Sequence, residues 1–118
     1  MTVVDTSVWI EFFRGGARAT RLRDLLEEGE VLVHPWILGE ICLGSLGPRR
    51  SDILADLRRL PAAAVIHDAE VMEMVEARKL AGSGIGWVDA QILASALACG
   101  ADLWTLDGEL ARTWEGCG

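Results

Sequence analysis

Four acidic residues, Asp5, Glu40, Asp89 and Asp107, stand where a carboxylate has something to do besides meeting solvent. Asp5 closes the short apolar run from Thr2 to Val4, and Asp107 closes the run from Leu103 to Leu106, so both follow predicted strands. Ligands of parallel α/β sheets collect beyond the carboxyl ends of the strands, and these two ends become neighbours if the strands pair. Glu40 and Asp89 fall on predicted helices. Glu40 has Trp36 at i−4 and Leu43 at i+3, so its helix face reads as apolar and buried, where an unpaired carboxylate is costly. Asp89 occupies the first turn of the very apolar stretch Trp87-Val88-Asp89-Ala90-Gln91-Ile92-Leu93.

Each acid has a plainer explanation. Asp5 in Asp5-Thr6-Ser7 suits a helix N-cap. Asp107-Gly108 is ordinary turn chemistry. Asp89 gains up to about 1 kcal/mol from the helix dipole. Glu40 suits the edge of an apolar stripe or a pairing with arginine. Taken together they suggest convergence at one sheet edge. Four clustered carboxylates repel, each close pair by about 4 kcal/mol at about 4 Å and an effective dielectric of about 20, so such a cluster needs a cation. An oxygen-only ligand set without His or Cys favours Mg²⁺ or Mn²⁺ over Zn²⁺. An acidic Mg²⁺ site suits phosphodiester hydrolysis, because the metal acidifies the attacking water and neutralises the phosphate and the leaving oxygen.

The elements that must position these acids alternate between strand and helix. Thr2 to Val4 reads as a strand, Thr6 to Phe13 as a helix stopped by Gly15-Gly16, and Arg18 to Glu28 as an amphipathic helix ended by Gly29. Val31 to Val33 is a second strand, and Pro35 opens a helix running to about Gly44. Ser51 is expected to cap a helix to Leu60, Val65-Ile66 to form a weak third strand, and Asp68 to cap a helix to Leu80. Trp87 to Cys99, rich in small and apolar residues, reads as a buried helix. Leu103 to Leu106 is a strand, and Asp107 starts a short final helix. This alternation predicts an α/β fold with a parallel sheet covered by helices on both faces.

The 118 residues suit a single domain, and half of them are hydrophobic, enough for a real core. No apolar run approaches the roughly 20 residues of a membrane span, and the first residues lack the pattern of a signal peptide. Cys42, Cys99 and Cys117 are odd in number and form no CxxC pair, so reduced thiols in a cytoplasmic protein are expected. The net charge of −7 argues against non-specific nucleic-acid binding through a basic surface, but not against an enzyme that meets phosphate through a cation. It also suits a basic partner.

The chain resembles the PIN-domain nucleases and, within them, the VapC toxins of type II toxin–antitoxin modules. The resemblance is carried by Val4-Asp5-Thr6-Ser7-Val8-Trp9-Ile10, Ile37-Leu38-Gly39-Glu40-Ile41, Trp87-Val88-Asp89-Ala90-Gln91-Ile92 and Leu103-Trp104-Thr105-Leu106-Asp107, in order, over residues 3 to about 112. It implies a three-layer sandwich around a short parallel sheet of four to five strands. It implies Mg²⁺- or Mn²⁺-dependent endonucleolytic cleavage of RNA, with transfer RNA and ribosomal RNA as substrate classes. By the same resemblance Asp5 and Asp89 are the principal metal ligands, Glu40 completes the site and helps place or activate water, and Asp107 holds a weaker second metal or orients the first through water. Ser7 and Thr105 support the ligands by hydrogen bonds. A VapB-like antitoxin that blocks the cleft and a toxin homodimer are implied as partners. Two departures stand out: Thr113 to Gly118 is a poor strand, and Leu110 stands where the family often has an aromatic residue.

His34 and His67 lack ligand spacing and read as ordinary surface or turn histidines. The loop Gly82 to Gly86 follows a helix rather than a strand, so it is no phosphate-binding fingerprint. Arg14, Arg18, Arg21 and Arg23, with the pair Arg49 and Arg50, read as a solvated face or as contacts to RNA phosphates, Arg14, Arg18, Arg49 and Arg50 being the candidates. Trp9, Phe12, Phe13 and Trp36 suit the core, or in part a groove for the antitoxin. Two other readings are a catalytically inert protein-binding module of the same fold and a receiver-type phospho-acceptor domain. The latter needs a lysine near the acids, and Lys79 is the only lysine.

Overall fold

A computed structural model describes residues 1–117. Its sheet is built from β1 (Thr2–Val4), β2 (Val31–Leu32) and β3 (Asp102–Trp104) in the order β2-β1-β3, all parallel. In register, Val3 of β1 faces Leu32 on one side and Leu103 on the other, and Val4 faces Trp104. Strands buried on both faces read as unbroken apolar runs, and Val3, Val4, Val31 and Leu32 are all buried. The chain leaves β1, forms β2 on one side, and later crosses to form β3 on the other. The carboxyl ends of β1 and β3 therefore lie side by side, and the Asp5 amide extends the ladder by donating to the Trp104 carbonyl at 2.9 Å.

Seven α-helices flank this sheet among the described residues: α1 (Thr6–Phe13), α2 (Arg21–Glu27), α3 (Pro35–Leu43), α4 (Arg50–Arg58), α5 (Asp68–Ala77), α6 (Trp87–Cys99) and α7 (Gly108–Cys117). Every residue of α6 from Ala90 to Ala96 is buried. A helix apolar all round belongs in the interior, and α6 packs against both β1 and β3. The core is continuous through Trp9, Leu22, Ile37, Ile92, Leu93 and Leu110. Leu110 is fully buried, so the aliphatic side chain fills a core position. Cys42, Cys99 and Cys117 are free thiols.

The sheet has three strands among the described residues, where four to five were expected. The segment after α4 makes one parallel bridge, Val33 with Ala62, and then leaves the sheet. At Ala64 and Ile66 its backbone is satisfied by side chains of α6: Ser95 donates to the Ala64 carbonyl, and the Gln91 amide both donates to and accepts from Ile66. Val65-Ile66 is therefore no strand, because the Ile66 amide and carbonyl are both taken by Gln91. Residues 113–117 belong to α7 rather than to a strand; Gly118 lies outside the described residues.

Boundaries moved for local reasons. The segment expected as one helix from Arg18 splits into a 3₁₀ turn, Ala17–Ala19, and α2. Helix α4 begins at Arg50 without a side-chain cap, so Ser51 does not cap it. His67, not Asp68, caps α5 by accepting from the Ala69 amide.

Candidate active site

At the end of β1, Asp5 has the extended backbone of an N-cap, but its side chain makes no capping bond. The carboxylate is instead held by two hydroxyls: Ser7 Oγ and Thr105 Oγ1 each donate to Asp5 Oδ2 at 2.8 Å. These hydroxyls also stop β3. The Leu106 amide donates to Ser7 Oγ and the Asp107 amide to Thr105 Oγ1, both at 3.0 Å, so the chain turns away after Trp104 instead of continuing to Leu106. Asp5 is buried, and only Oδ2 carries these bonds, so the carboxylate is oriented as well as shielded.

The other three acids come from three different helix starts or faces. Glu40 on α3 accepts from Thr6 Oγ1 at 2.7 Å, which ties α3 to the first residue of α1. It is exposed, and Leu43 on the same face is 90% exposed. Of the apolar face expected to bury Glu40, Leu43 thus points outward and Trp36 is only half-buried, while Ile37 and Ile41 carry the buried side. Asp89 in the first turn of α6 is half-buried and accepts from the Gly86 amide at 3.3 Å. Asp107 is exposed, and its Oδ1 caps α7 by accepting from the Glu109 and Leu110 amides at 3.0 Å each. The plain reading of Asp107 as a turn and cap residue therefore holds for one of its oxygens.

Electrostatics joins these acids. The Asp89 carboxyl is held above its ordinary value, first by desolvation and then by the charges of Asp5, Asp107 and Glu40, against the opposing bond from Gly86. Among the described residues, no three His, Cys, Asp or Glu side chains close into a ready metal cage. The donor set nevertheless fits a hard cation. It is all oxygen, it places repelling charges around a half-buried carboxyl, and Mg²⁺ keeps several waters while binding directly to only one or two carboxylates.

The arginines divide. Arg18 pairs with Glu11 at 3.3 Å. Arg50 donates to the Cys42 and Gly44 carbonyls, so its guanidinium caps the C-terminus of α3. Arg14 is exposed and shares with Glu40 a notch of about 370 Å³ between α1 and α3. Arg49 lies farther off, on the rim of an apolar groove of about 590 Å³ lined by Trp9, Phe12, Phe13, Leu26, Ile53 and Leu57. Lys79 is exposed at the far end of α5.

Sequence reasoning missed two residues. His34 is fully buried rather than at the surface, and Gln91 is fully buried beside it. A polar residue in the middle of the apolar run Ala90 to Ala96 was the available signal, since buried amides need partners.

A parallel sheet with acids gathered at its carboxyl edge is the arrangement that defines the PIN domain, and a family model described as PIN domain matches residues 2–115. The chain belongs to the PIN-domain family. Its relatives place it with the VapC ribonucleases: the proteins named Ribonuclease VapC32 from two strains of Mycobacterium tuberculosis, CDC 1551 / Oshkosh and ATCC 25618 / H37Rv, are each 47% identical to it over 113 residues, covering 93% of this chain and 87% of theirs.

Proposed function

We propose that this protein is a divalent-metal-dependent endoribonuclease and the toxin of a toxin–antitoxin pair, acting in the cytoplasm on structured RNA such as transfer or ribosomal RNA and so inhibiting translation. The observation that carries this reading is the buried, hydroxyl-braced Asp5 at the carboxyl end of β1, beside the end of β3 that leads into Asp107, in a chain of the PIN-domain family. Asp5 and Asp89 would hold Mg²⁺ or Mn²⁺, with Asp107 reaching it through water by the oxygen not used for capping. A bound ion supplies positive charge against the phosphate and acidifies a water. Glu40, anchored by Thr6, accepts a hydrogen bond from the attacking water and orients it. Ser7 and Thr105 keep Oδ2 of Asp5 aimed. Arg14, beside Glu40, contacts a flanking phosphate.

The apolar groove along α1 and α4 suits the apolar face of a VapB-like antitoxin helix, with Arg23 and Arg49 meeting its acidic residues. Exposed Leu43 and Trp87 supply apolar surface for a homodimer. No helix among the described residues is long and apolar enough to cross a membrane.

The test is cleavage of a labelled RNA by protein freed of antitoxin. Mg²⁺ should support cleavage and a chelator stop it, with Asp5→Asn and Asp89→Asn each at least about 100-fold slower. Cleavage that survives in the double variant would sink the assignment. Antitoxin binding without any cleavage would mark an inert binding module.

A further inference from the structure

We infer that the buried hydrogen bond between His34 and Gln91 is a strut that positions Glu40 against Asp89. His34 and Gln91 are both 0% exposed. The Nδ1 atom of His34 accepts from the Trp36 amide at 3.0 Å, which leaves the proton on Nε2, facing Gln91 Oε1 at 3.3 Å. Gln91 Oε1 also accepts from the Ile66 amide at 2.7 Å, while its Nε2 donates to the Ile66 carbonyl at 2.9 Å. The amide orientation and the imidazole tautomer therefore fix each other. Burial lowers the His34 pKa, in keeping with the neutral ring this pattern requires.

The location gives the strut its purpose. His34 is the N-cap of α3, the helix that carries Glu40. Gln91 lies two residues beyond Asp89 on α6, which at 3.6 residues per turn puts the two on nearly opposite faces. Asp89 faces the other acids while Gln91 faces the interior. Among the described residues this is the one side-chain hydrogen bond between the start of α3 and α6. Glu40 on α3 and Asp89 on α6 carry like charge, so without metal their repulsion tends to spread the two helices that bear them. A directional bond on the inner side of both helices resists that spreading. His34 and Gln91 are positioning residues and touch no substrate.

This inference rests on the proposed metal site, and the two can fail separately. Mn²⁺ alone is titrated into the full-length protein and free Mn²⁺ is followed by electron paramagnetic resonance, alongside thermal melting. The parent should bind and Asp89→Asn should not; a parent that does not bind overturns the metal-site reading and this inference with it. His34→Asn keeps an N-capping oxygen but removes the atom facing Gln91, and Gln91→Leu removes the other partner at similar volume. Each should weaken Mn²⁺ binding about tenfold, and the double variant should be no weaker than the worse single one. Leu22→Val, a core change away from the strut, should lower the melting temperature without moving Mn²⁺ affinity. If Gln91→Leu does not fold, His34→Asn decides. Folded His34→Asn with parental Mn²⁺ affinity overturns the strut.

Discussion

Asp89 is the residue on which burial and charge act in the same direction, and its elevated pKa has a consequence for stability as well as for metal binding. A carboxyl whose folded pKa lies above its unfolded value favours the native state fully below the unfolded value of about 3.8. That contribution is lost as pH rises through the folded value. In metal-free protein, Asp89→Asn should therefore raise the melting temperature relative to the parent at neutral pH, with the gap closing as pH falls toward the ordinary carboxylate range. Excess Mg²⁺ should narrow the neutral-pH gap by stabilising only the parent. A variant no more stable than the parent at neutral pH would contradict the repulsion described for this site. Asp5 offers a second test. Thr105→Val keeps the side-chain shape but deletes one of the two hydroxyls on Oδ2 and the acceptor for the Asp107 amide. Cleavage should become about 10- to 100-fold more demanding in Mg²⁺, read as the concentration giving half-maximal rate. At this scale the sequence led to the acids unevenly. Asp5 followed from strand logic, and its capping alternative fails because its carboxylate accepts from the Ser7 and Thr105 hydroxyls and from no amide of α1. Glu40 was singled out for an apolar face, but Glu40 and Leu43 face solvent; what ties it to the site is Thr6, the residue after Asp5. His34 and Gln91 escaped because a lone polar residue in an apolar run shows its partner only once the chain has folded.

Among the elements, α3 shows how a helix that carries a functional residue is held at both ends. His34 caps its start, and Arg50, reaching back from the first turn of α4, takes the carbonyls at its end. Arg50→Ala should lower stability by about 1.5–3 kcal/mol, the scale of hydrogen bonds to a charged group, or about 6–12 °C in melting temperature at about 4 °C per kcal/mol for a chain of this size. Lysine at the same position should restore only part of this, since one ammonium cannot match the guanidinium fork. Arg14→Ala should do the reverse, leaving the melting temperature in place while raising KM for RNA. Helices were legible where composition or a glycine stop marked them, as in α1, which ends just before Gly15-Gly16, and the small-residue, apolar α6. The Val65-Ile66 segment was not, because its β-branched composition suits a strand and what keeps it out of the sheet is a pair of side chains on α6, some 25 residues or more away in sequence. The early end of β3 has the same origin in the Ser7 and Thr105 hydroxyls.

For the molecule as a whole, the acid edge and the apolar groove are separate surfaces joined through α1. Phe13 lines both the groove and the notch beside Glu40. Ile53→Asp, inside the groove, should leave RNA cleavage within about twofold while weakening antitoxin binding at least about tenfold, because a charge there meets apolar walls. Loss of cleavage in that variant would show that the groove serves catalysis instead. The net charge of −7 pointed away from a basic nucleic-acid surface, and the structure shows exposed Arg14 as the arginine beside Glu40. The parallel α/β class was readable from strand–helix alternation; the strand count was not, because a three-residue strand and a three-residue turn have the same composition. The narrow sheet also has a consequence for life in a crowded solution. Among the described residues β3 pairs only with β1, which leaves one side of Asp102-Leu103-Trp104 as an open ladder that another chain could extend into an aggregate. Its brevity and the exposed charge of Asp102 act as gatekeepers against that stacking.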